Sequence, residues 1–297
     1  MNPIELSGAL ADAVETAERS VVRLQGRGRP VSGTVFSEKG HVVAISHTID
    51  GNEVDVGLPD GRSVSARVIG RDPATDLALL EAEVSGLVPP SWADLADARV
   101  GELVLGVYRP GRTARASCGV LAALGDAWRT RFGGRVDRYV EASLPLQPGF
   151  SGGLLVSPFR GALAVSASGI VRGVPLGLPA ATVRRVAEAL LSSGRVRRGY
   201  LGVGSYPVAL PPGLQSSLGQ ATALLVVSVQ PESPADGAGL LLGDVLVGVD
   251  GRPVAEPADL LPSLDEERVG RDLVLRIVRG GEVREVRVTV GERGASS

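Results

Sequence analysis

From about residue 21 onward the apolar residues fall into short alternating runs, each closed by turn formers, and this pattern restricts most of the chain to small antiparallel β architectures. Residues 31–36, the turn Glu38-Lys39-Gly40 and residues 41–46 read as one hairpin. Residues 54–58 and 63–69 read as a second, joined by Pro59-Asp60-Gly61, whose residues supply the fixed and positive φ that a tight turn needs. Strands this short and this closely spaced suit a barrel. Another strand-rich stretch, residues 102–178, is broken at Pro110-Gly111, Gly133-Gly134 and Pro148-Gly149 and is long enough for a second barrel. Ahead of the first run the period is helical: residues 3–19 predict an amphipathic helix with Ile4, Leu10, Ala11, Val14 and Ala17 on one face.

A helix over residues 180–191, with Val183, Val186, Ala187 and Leu190 at apolar spacing, is predicted to stop at Gly194 as a left-handed cap. Arginine-rich residues 195–199 then form a joint. Beyond it, strands at 224–229 and 244–249 and a terminal hairpin over 272–279 and 283–290 describe a small α+β module. A helix is expected from Pro257 to residue 264, with Pro262 inside it predicting a kink or early end. The expected organisation is a helix over 1–20, a double-barrel domain over 21–195 with barrels at about 21–95 and 100–180, a linker over 196–199, the module over 200–292 and a tail over 293–297.

A chain of 297 residues with 44% hydrophobic and 22% charged residues suits two packed domains. Cys118 is the only cysteine, which excludes an internal disulfide and a cysteine-held metal. With 31 basic and 33 acidic side chains there is no bulk attraction to nucleic acid. No phosphate-binding loop or metal-ligand cluster is present, so no cofactor, no metal and no nucleic-acid partner is expected. The first twenty residues carry Glu5, Asp12, Glu15 and Glu18 and no unbroken apolar stretch. As written they predict a cytoplasmic protein, or a periplasmic one if a leader precedes residue 1.

Chemistry concentrates in Pro148-Gly149-Phe150-Ser151-Gly152-Gly153. Glycines let a backbone turn sharply enough for the amides of Gly149 and Ser151 to converge on a carbonyl oxygen as it becomes an anion. A serine hydroxyl is a poor nucleophile without a histidine base, and the histidine needs a carboxylate to hold its tautomer. Only His41 and His47 exist. His47 ends the apolar run 44–46 and Asp76 precedes another, 77–80; His41 directly follows a hairpin turn and has no such setting. His47, Asp76 and Ser151 then stand in the order of chymotrypsin, two on the first barrel and one on the second.

These fragments, with Ser32-Gly33-Thr34-Val35-Phe36, Asp50-Gly51, Asp72-Pro73 and Tyr200-Leu201-Gly202-Val203, resemble in order and spacing the HtrA (Deg) family of trypsin-like serine proteases with C-terminal PDZ domains. The resemblance covers nearly the whole chain. It implies a mainly β fold, a chymotrypsin-like double β-barrel protease domain followed by an α+β PDZ domain. It also implies an ATP-independent serine endopeptidase acting on unfolded or damaged proteins through a catalytic triad of His47, Asp76 and Ser151, with an oxyanion hole at Gly149 and Ser151. Its substrate pocket would be walled by Ala167, Ser168 and Gly169, small residues that suit a small or medium aliphatic side chain. Residues 200–203 would bind peptide C-termini, residues 125–138 would be a regulatory loop, and a homotrimer is implied, although no aromatic residue precedes Phe36.

The chain departs from the family where Phe150 replaces the usual Asn, Ser143 an Asp and Leu154 a Pro, and where Pro145 removes a backbone donor. A flip of the peptide between Gly149 and Phe150 would turn a carbonyl to where an amide must be. The alternative of a catalytically impaired scaffold or holdase that binds peptides through its PDZ domain therefore stays open at this point.

Overall fold

The computed structural model describes residues 2–171 and 173–292, and the expected tail over 293–297 lies outside them. Two compact units divide the chain, Met1–Val196 and Arg197–Ser297.

The first unit begins with helix α1 (Pro3–Glu18). Asn2 caps it: its side chain accepts the Glu5 N–H while the Glu5 carboxylate accepts the Asn2 N–H, both at 2.9 Å. Leu10, Ala13, Val14 and Ala17 form its inner stripe, against Val21, Leu105, Val107 and Leu154. Ile4, assigned to this face from the sequence, is 83% exposed, and Ala11 is exposed too. Each lies roughly 100–120° around the helix from Leu10. Arg109 locks the helix end in place. Its buried guanidinium donates to the carbonyls of Glu18, Val21 and Arg112, which satisfies the charge and two otherwise orphaned backbone acceptors near the helix terminus.

Strands β1 (Val21–Gln25), β2 (Pro30–Val35), β3 (His41–Ile45), β4 (Glu53–Gly57), β5 (Ser63–Asp72) and β6 (Leu77–Ala82) close a barrel in the order β1-β2-β3-β6-β5-β4. Its interior is aliphatic, with Val22, Leu24, Val35, Val42, Val56 and Leu80 fully buried. The second barrel uses β7 (Leu103–Tyr108), β8 (Arg115–Gly125), β11 (Tyr139–Ser143), β12 (Leu154–Ser157), β13 (Gly161–Ala167) and β14 (Leu176–Pro179), ordered β11-β14-β13-β12-β7-β8. Between β8 and β11 the two-residue strands β9 (Trp128–Arg129) and β10 (Arg135–Val136) pair into a separate hairpin.

Helix α2 (Ala180–Ser193) ends at Gly194 in the left-handed region, as its sequence requires. Val183, Val186, Ala187 and Leu190 pack against Val43, Ile45, Leu77 and Leu79 of the first barrel and Val165 and Leu178 of the second. Each Val or Leu side chain so removed from water contributes about 1.5–3 kcal/mol, and the Ala187 methyl less, so the helix binds the barrels together.

The second unit contains β15 (Gly199–Tyr200), β16 (Val203–Ala209), α3 (Pro212–Leu218), β17 (Thr222–Val229), α4 (Pro234–Gly237), β18 (Val245–Val249), β19 (Arg252–Pro253), β20 (Asp272–Arg279), β21 (Glu282–Thr289) and β22 (Gly291–Glu292). Its main sheet runs β16-β17-β18-β20-β21, which leaves β16 at an edge. The helix expected from Pro257 is a 3₁₀ segment, Pro257–Leu264. Pro262 cannot donate to the carbonyl four residues back and its ring crowds that turn, so an α-helix cannot run through it.

Candidate active site

His47 lies in a single 3₁₀ turn, Ser46–Thr48, immediately after β3. Asp76 ends the loop between β5 and β6, and the β3/β6 pairing, with Ile45 opposite Leu77, sets the two side by side. That loop is built by Asp72. Its buried carboxylate accepts from the Ala74 and Thr75 N–H groups at 3.3 Å and from the Thr75 hydroxyl at 2.6 Å. Asp76 then adopts φ of 62°, a conformation that Asp tolerates better than most residues. Its carbonyl accepts the Ser46 N–H at 2.7 Å. One carboxylate oxygen accepts the His47 backbone N–H at 3.0 Å and the other the His47 Nδ1–H at 2.5 Å.

With the proton held at Nδ1, Nε2 keeps its lone pair. The hydrogen bond that His47 donates to Asp76, reinforced by the carboxylate's charge, raises the His47 pKa above the ordinary imidazole value against partial burial and the nearby Arg27.

Ser151 follows a type II turn. Pro148 and Gly149 occupy its corners, Gly149 has φ of 88°, and the Phe150 N–H closes it on the Gln147 carbonyl at 3.0 Å. The N–H groups of Gly152 and Gly153 are also engaged, by the carbonyls of Ser166 and Phe150. Those of Gly149 and Ser151 meet no acceptor among the described residues. The Gly149 N–H belongs to the Pro148–Gly149 peptide, so that peptide is the one whose orientation matters, and not the Gly149–Phe150 peptide singled out from sequence. The Gly149 carbonyl is turned away to accept the Ser32 hydroxyl at 2.6 Å.

Three polar residues hold this loop from beneath. Ser32 also donates its N–H to the Ser151 carbonyl at 3.1 Å, the Thr34 hydroxyl donates to the Gly152 carbonyl at 2.9 Å, and the Ser166 hydroxyl donates to the Phe150 carbonyl. Their roles were not read from the sequence. The available signal was small polar residues at inward positions of otherwise apolar strands, where a hydroxyl is tolerated only with a partner.

Phe150 is 2% exposed and packs edge-on to Tyr108, at 6.4 Å between ring centroids, among Leu144, Leu155 and Leu163. It anchors the turn in the second barrel and does not enter the cleft. Of the three residues expected to wall the pocket, Ala167 is fully buried in the layer beneath α2. Ser168 meets the nucleophile candidate directly, with its hydroxyl 2.7 Å from Ser151 Oγ. No hydrogen bond joins Ser151 Oγ to His47 in this structure. Gly169 lies flat against the imidazole, where a Cβ would stand 2.3 Å from His47 Cε1.

In the second unit, Leu201 is a core residue and Gly202 has φ of 83° where a Cβ would collide with Ser233. The Leu201 and Gly202 carbonyls accept the Ala235 and Gln230 N–H groups. Their own N–H groups have no acceptor among the described residues. Tyr200 donates its hydroxyl to Gln230, and Val203 opens the edge strand β16.

Family profiles match residues 31–164 as a trypsin-like peptidase domain and residues 199–290 as a PDZ domain. A probable periplasmic serine endoprotease DegP-like protein of Brucella suis is 32% identical over 277 residues, 89% of this chain and 53% of its own length. One of that description from Ectopseudomonas mendocina is 30% identical, over 93% of this chain and 61% of its own. The chain thus spans little more than half the length of these curated relatives. Among solved structures, the HtrA-type protease AlgW with a tripeptide superposes with a TM-score of 0.75 at 26% identity, covering 95% of this chain and 97% of that one. The serine endoprotease from Yersinia pestis gives 0.75 at 25% identity with the same coverage. The relatives' names place them in the periplasm and overturn the cytoplasmic reading of the acidic N-terminal residues. Among the described residues no helix is long and apolar enough to cross a membrane. With both domain profiles, these relatives and the shared double-barrel architecture in agreement, the chain belongs to the HtrA family of trypsin-like serine proteases with a PDZ domain.

Proposed function

We propose that this chain is a periplasmic serine endopeptidase that cleaves unfolded or damaged proteins, with Ser151 as nucleophile, His47 as general base and Asp76 as the group that orients the base. The observation that carries this reading is the pair of unengaged N–H groups at Gly149 and Ser151, in a turn whose three other N–H groups are all bonded. Backbone donors left open in a built turn are what an oxyanion needs. Ser151 Oγ leaves Ser168 by rotation about χ1, passes its proton to His47 Nε2 and attacks the scissile carbonyl. The carbonyl oxygen becomes the anion bound by Gly149 and Ser151. Collapse of that intermediate expels the amine, protonated by His47, and leaves an acyl-enzyme that water hydrolyses by the same steps. The scaffold alternative rested on Phe150, Ser143, Pro145 and Leu154, and a Phe150 side chain buried in the barrel gives it no support.

Reaction with a fluorophosphonate probe tests the assignment. Labelling is expected in the native chain and absent in Ser151→Ala. A native chain that stays unlabelled with and without C-terminal peptides, while still binding those peptides, overturns it. Gly169→Ala tests the placement of the base. The added methyl displaces the imidazole, and a shift near 1 Å lowers kcat by about 100-fold with a smaller change in KM.

The PDZ domain is proposed to take peptide C-termini. The Leu201 and Gly202 N–H groups would receive the carboxylate, and the free edge of β16 would pair with the peptide strand beside the 3₁₀ segment Pro257–Leu264. The homotrimer implied by the family resemblance is part of the same reading.

A further inference from the structure

Arg71 stands on β5 one residue before Asp72, opposite Ala78 of β6, which on its other side pairs with Ala44 of β3. Its side chain reaches the segment that follows β3, where His47 is carried in the turn Ser46–Thr48. Nη1 donates to the Ser46 carbonyl at 3.1 Å and, less closely, to the Ile49 carbonyl at 3.4 Å. Nη2 donates to the Gly51 carbonyl at 2.7 Å. The guanidinium therefore grips the chain on both sides of His47.

The two edges of this segment are held by different residues. Asp76 takes the N–H side, accepting from Ser46 and His47. On the carbonyl side, the Thr48 oxygen is engaged by the Arg27 N–H at 2.9 Å. A single 3₁₀ turn supplies little more, because its one closing bond, from the Ile49 N–H to the Ser46 carbonyl, is 3.4 Å long. No backbone N–H reaches the Ile49 or Gly51 carbonyl among the described residues, so Arg71 is what fixes them.

The charge of Arg71 is directed at these dipoles alone. Asp50, the carboxylate of the same segment, pairs with Arg27 instead, and among the described residues Arg71 makes no ion pair. Hydrogen bonds from a cation are stronger than those between neutral groups, and a guanidinium offers five N–H donors in a rigid planar fork that can span several carbonyls at once. Nothing in the local sequence marked the residue for this role, since the carbonyls it meets lie 20–25 residues earlier in the chain.

We propose that Arg71 is a positioning residue for the general base. By fixing the carbonyls around His47, it holds the imidazole where Nδ1 meets Asp76 and Nε2 can receive the Ser151 proton. The proposal rests on the endopeptidase reading above and adds a fourth residue to its machinery, one that touches neither substrate nor the reacting atoms.

The test compares Arg71→Met, which keeps the apolar stem and removes every donor, with Arg71→Lys in the full chain. Peptide-ester hydrolysis by Arg71→Met should show kcat lowered by about 10–100-fold at nearly unchanged KM, the scale expected for a base displaced by up to 1 Å. Fluorophosphonate labelling of Ser151 should slow by a similar factor. Arg71→Lys should recover part of the rate, and so should guanidinium added at low millimolar concentration to Arg71→Met, whereas Asp76→Asn should gain nothing from it. Proton NMR reads the geometry without turnover: the His47 Nδ1–H, bonded to a carboxylate, resonates far downfield in the native chain and should move upfield or broaden in Arg71→Met. Native kcat in Arg71→Met, a loss confined to KM, or a lowered kcat with the His47 proton unmoved overturns the proposal. Failure of both variants to fold, judged by calorimetry, also overturns it, because Arg71 is then a residue of stability. A native chain that resists fluorophosphonate overturns the endopeptidase reading, and the His47 proton then decides the positioning role separately.

Discussion

Asp76→Asn is expected to lower kcat by about 10⁴-fold, the scale on which serine hydrolases lose activity when the carboxylate behind the histidine is made neutral. Two effects combine here. Asparagine can present an N–H to Nδ1, which forces the ring proton to Nε2 and leaves no base facing Ser151. It also removes the charge that stabilises the imidazolium formed when the proton is taken. The pH profile distinguishes these losses from a general loss of structure. Asp76 raises the His47 pKa, and the neutral ring is the active base, so native activity should rise with pH through a value above 6.5. In Asp76→Asn the acid limb should move to lower pH while the plateau falls. Hydrolysis of a peptide ester followed from pH 5 to 9 reads both. An unchanged limb would mean that Asp76 does not act through His47.

Phe150→Asn, which installs the residue common in the family, is expected to destabilise the first unit by several kcal/mol. Removing a buried phenyl ring costs about 3–5 kcal/mol, and an amide placed among Leu144, Leu155 and Leu163 adds an unpaired polar group. For a unit of this size the combined loss corresponds to a fall in melting temperature of roughly 10 °C, readable by calorimetry. Phe150→Leu, which retains most of the apolar volume, should lose much less. If the Asn variant melts with the native chain, Phe150 is not the anchor of the turn.

Most of the architecture was legible because its signals are local. Turn residues at 38–40 and 59–61 marked hairpins, Gly194 marked a helix end, and Pro262 marked the interruption of the helix from Pro257. The identity of His47, Asp76 and Ser151 as a set came from order and spacing, and the structure brings His47 and Asp76 into direct contact while pairing Ser151 with Ser168. What could not be read depends on residues far apart in sequence. Phe150 looked like a defect in the oxyanion loop because its partner Tyr108 lies 42 residues earlier and supplies no local pattern. The burial of Ala167 follows from α2, which lies after it in the chain. Helix α3 escaped notice because a short, exposed, proline-containing segment carries little apolar periodicity.

The bonds from Ser32 and Thr34 to the Ser151 loop run between the two barrels, from β2 to the segment that precedes β12. They make the Ser151 loop a product of both barrels. During synthesis the first barrel emerges with His47 and Asp76 but without Ser151, and the second brings Ser151 in a turn that gains its Ser32 and Thr34 bonds only on docking. On the proposed endopeptidase reading, competence to cut peptide bonds should therefore arise only once the barrels have docked. A partly made chain carries no blade with which to cut itself or its neighbours.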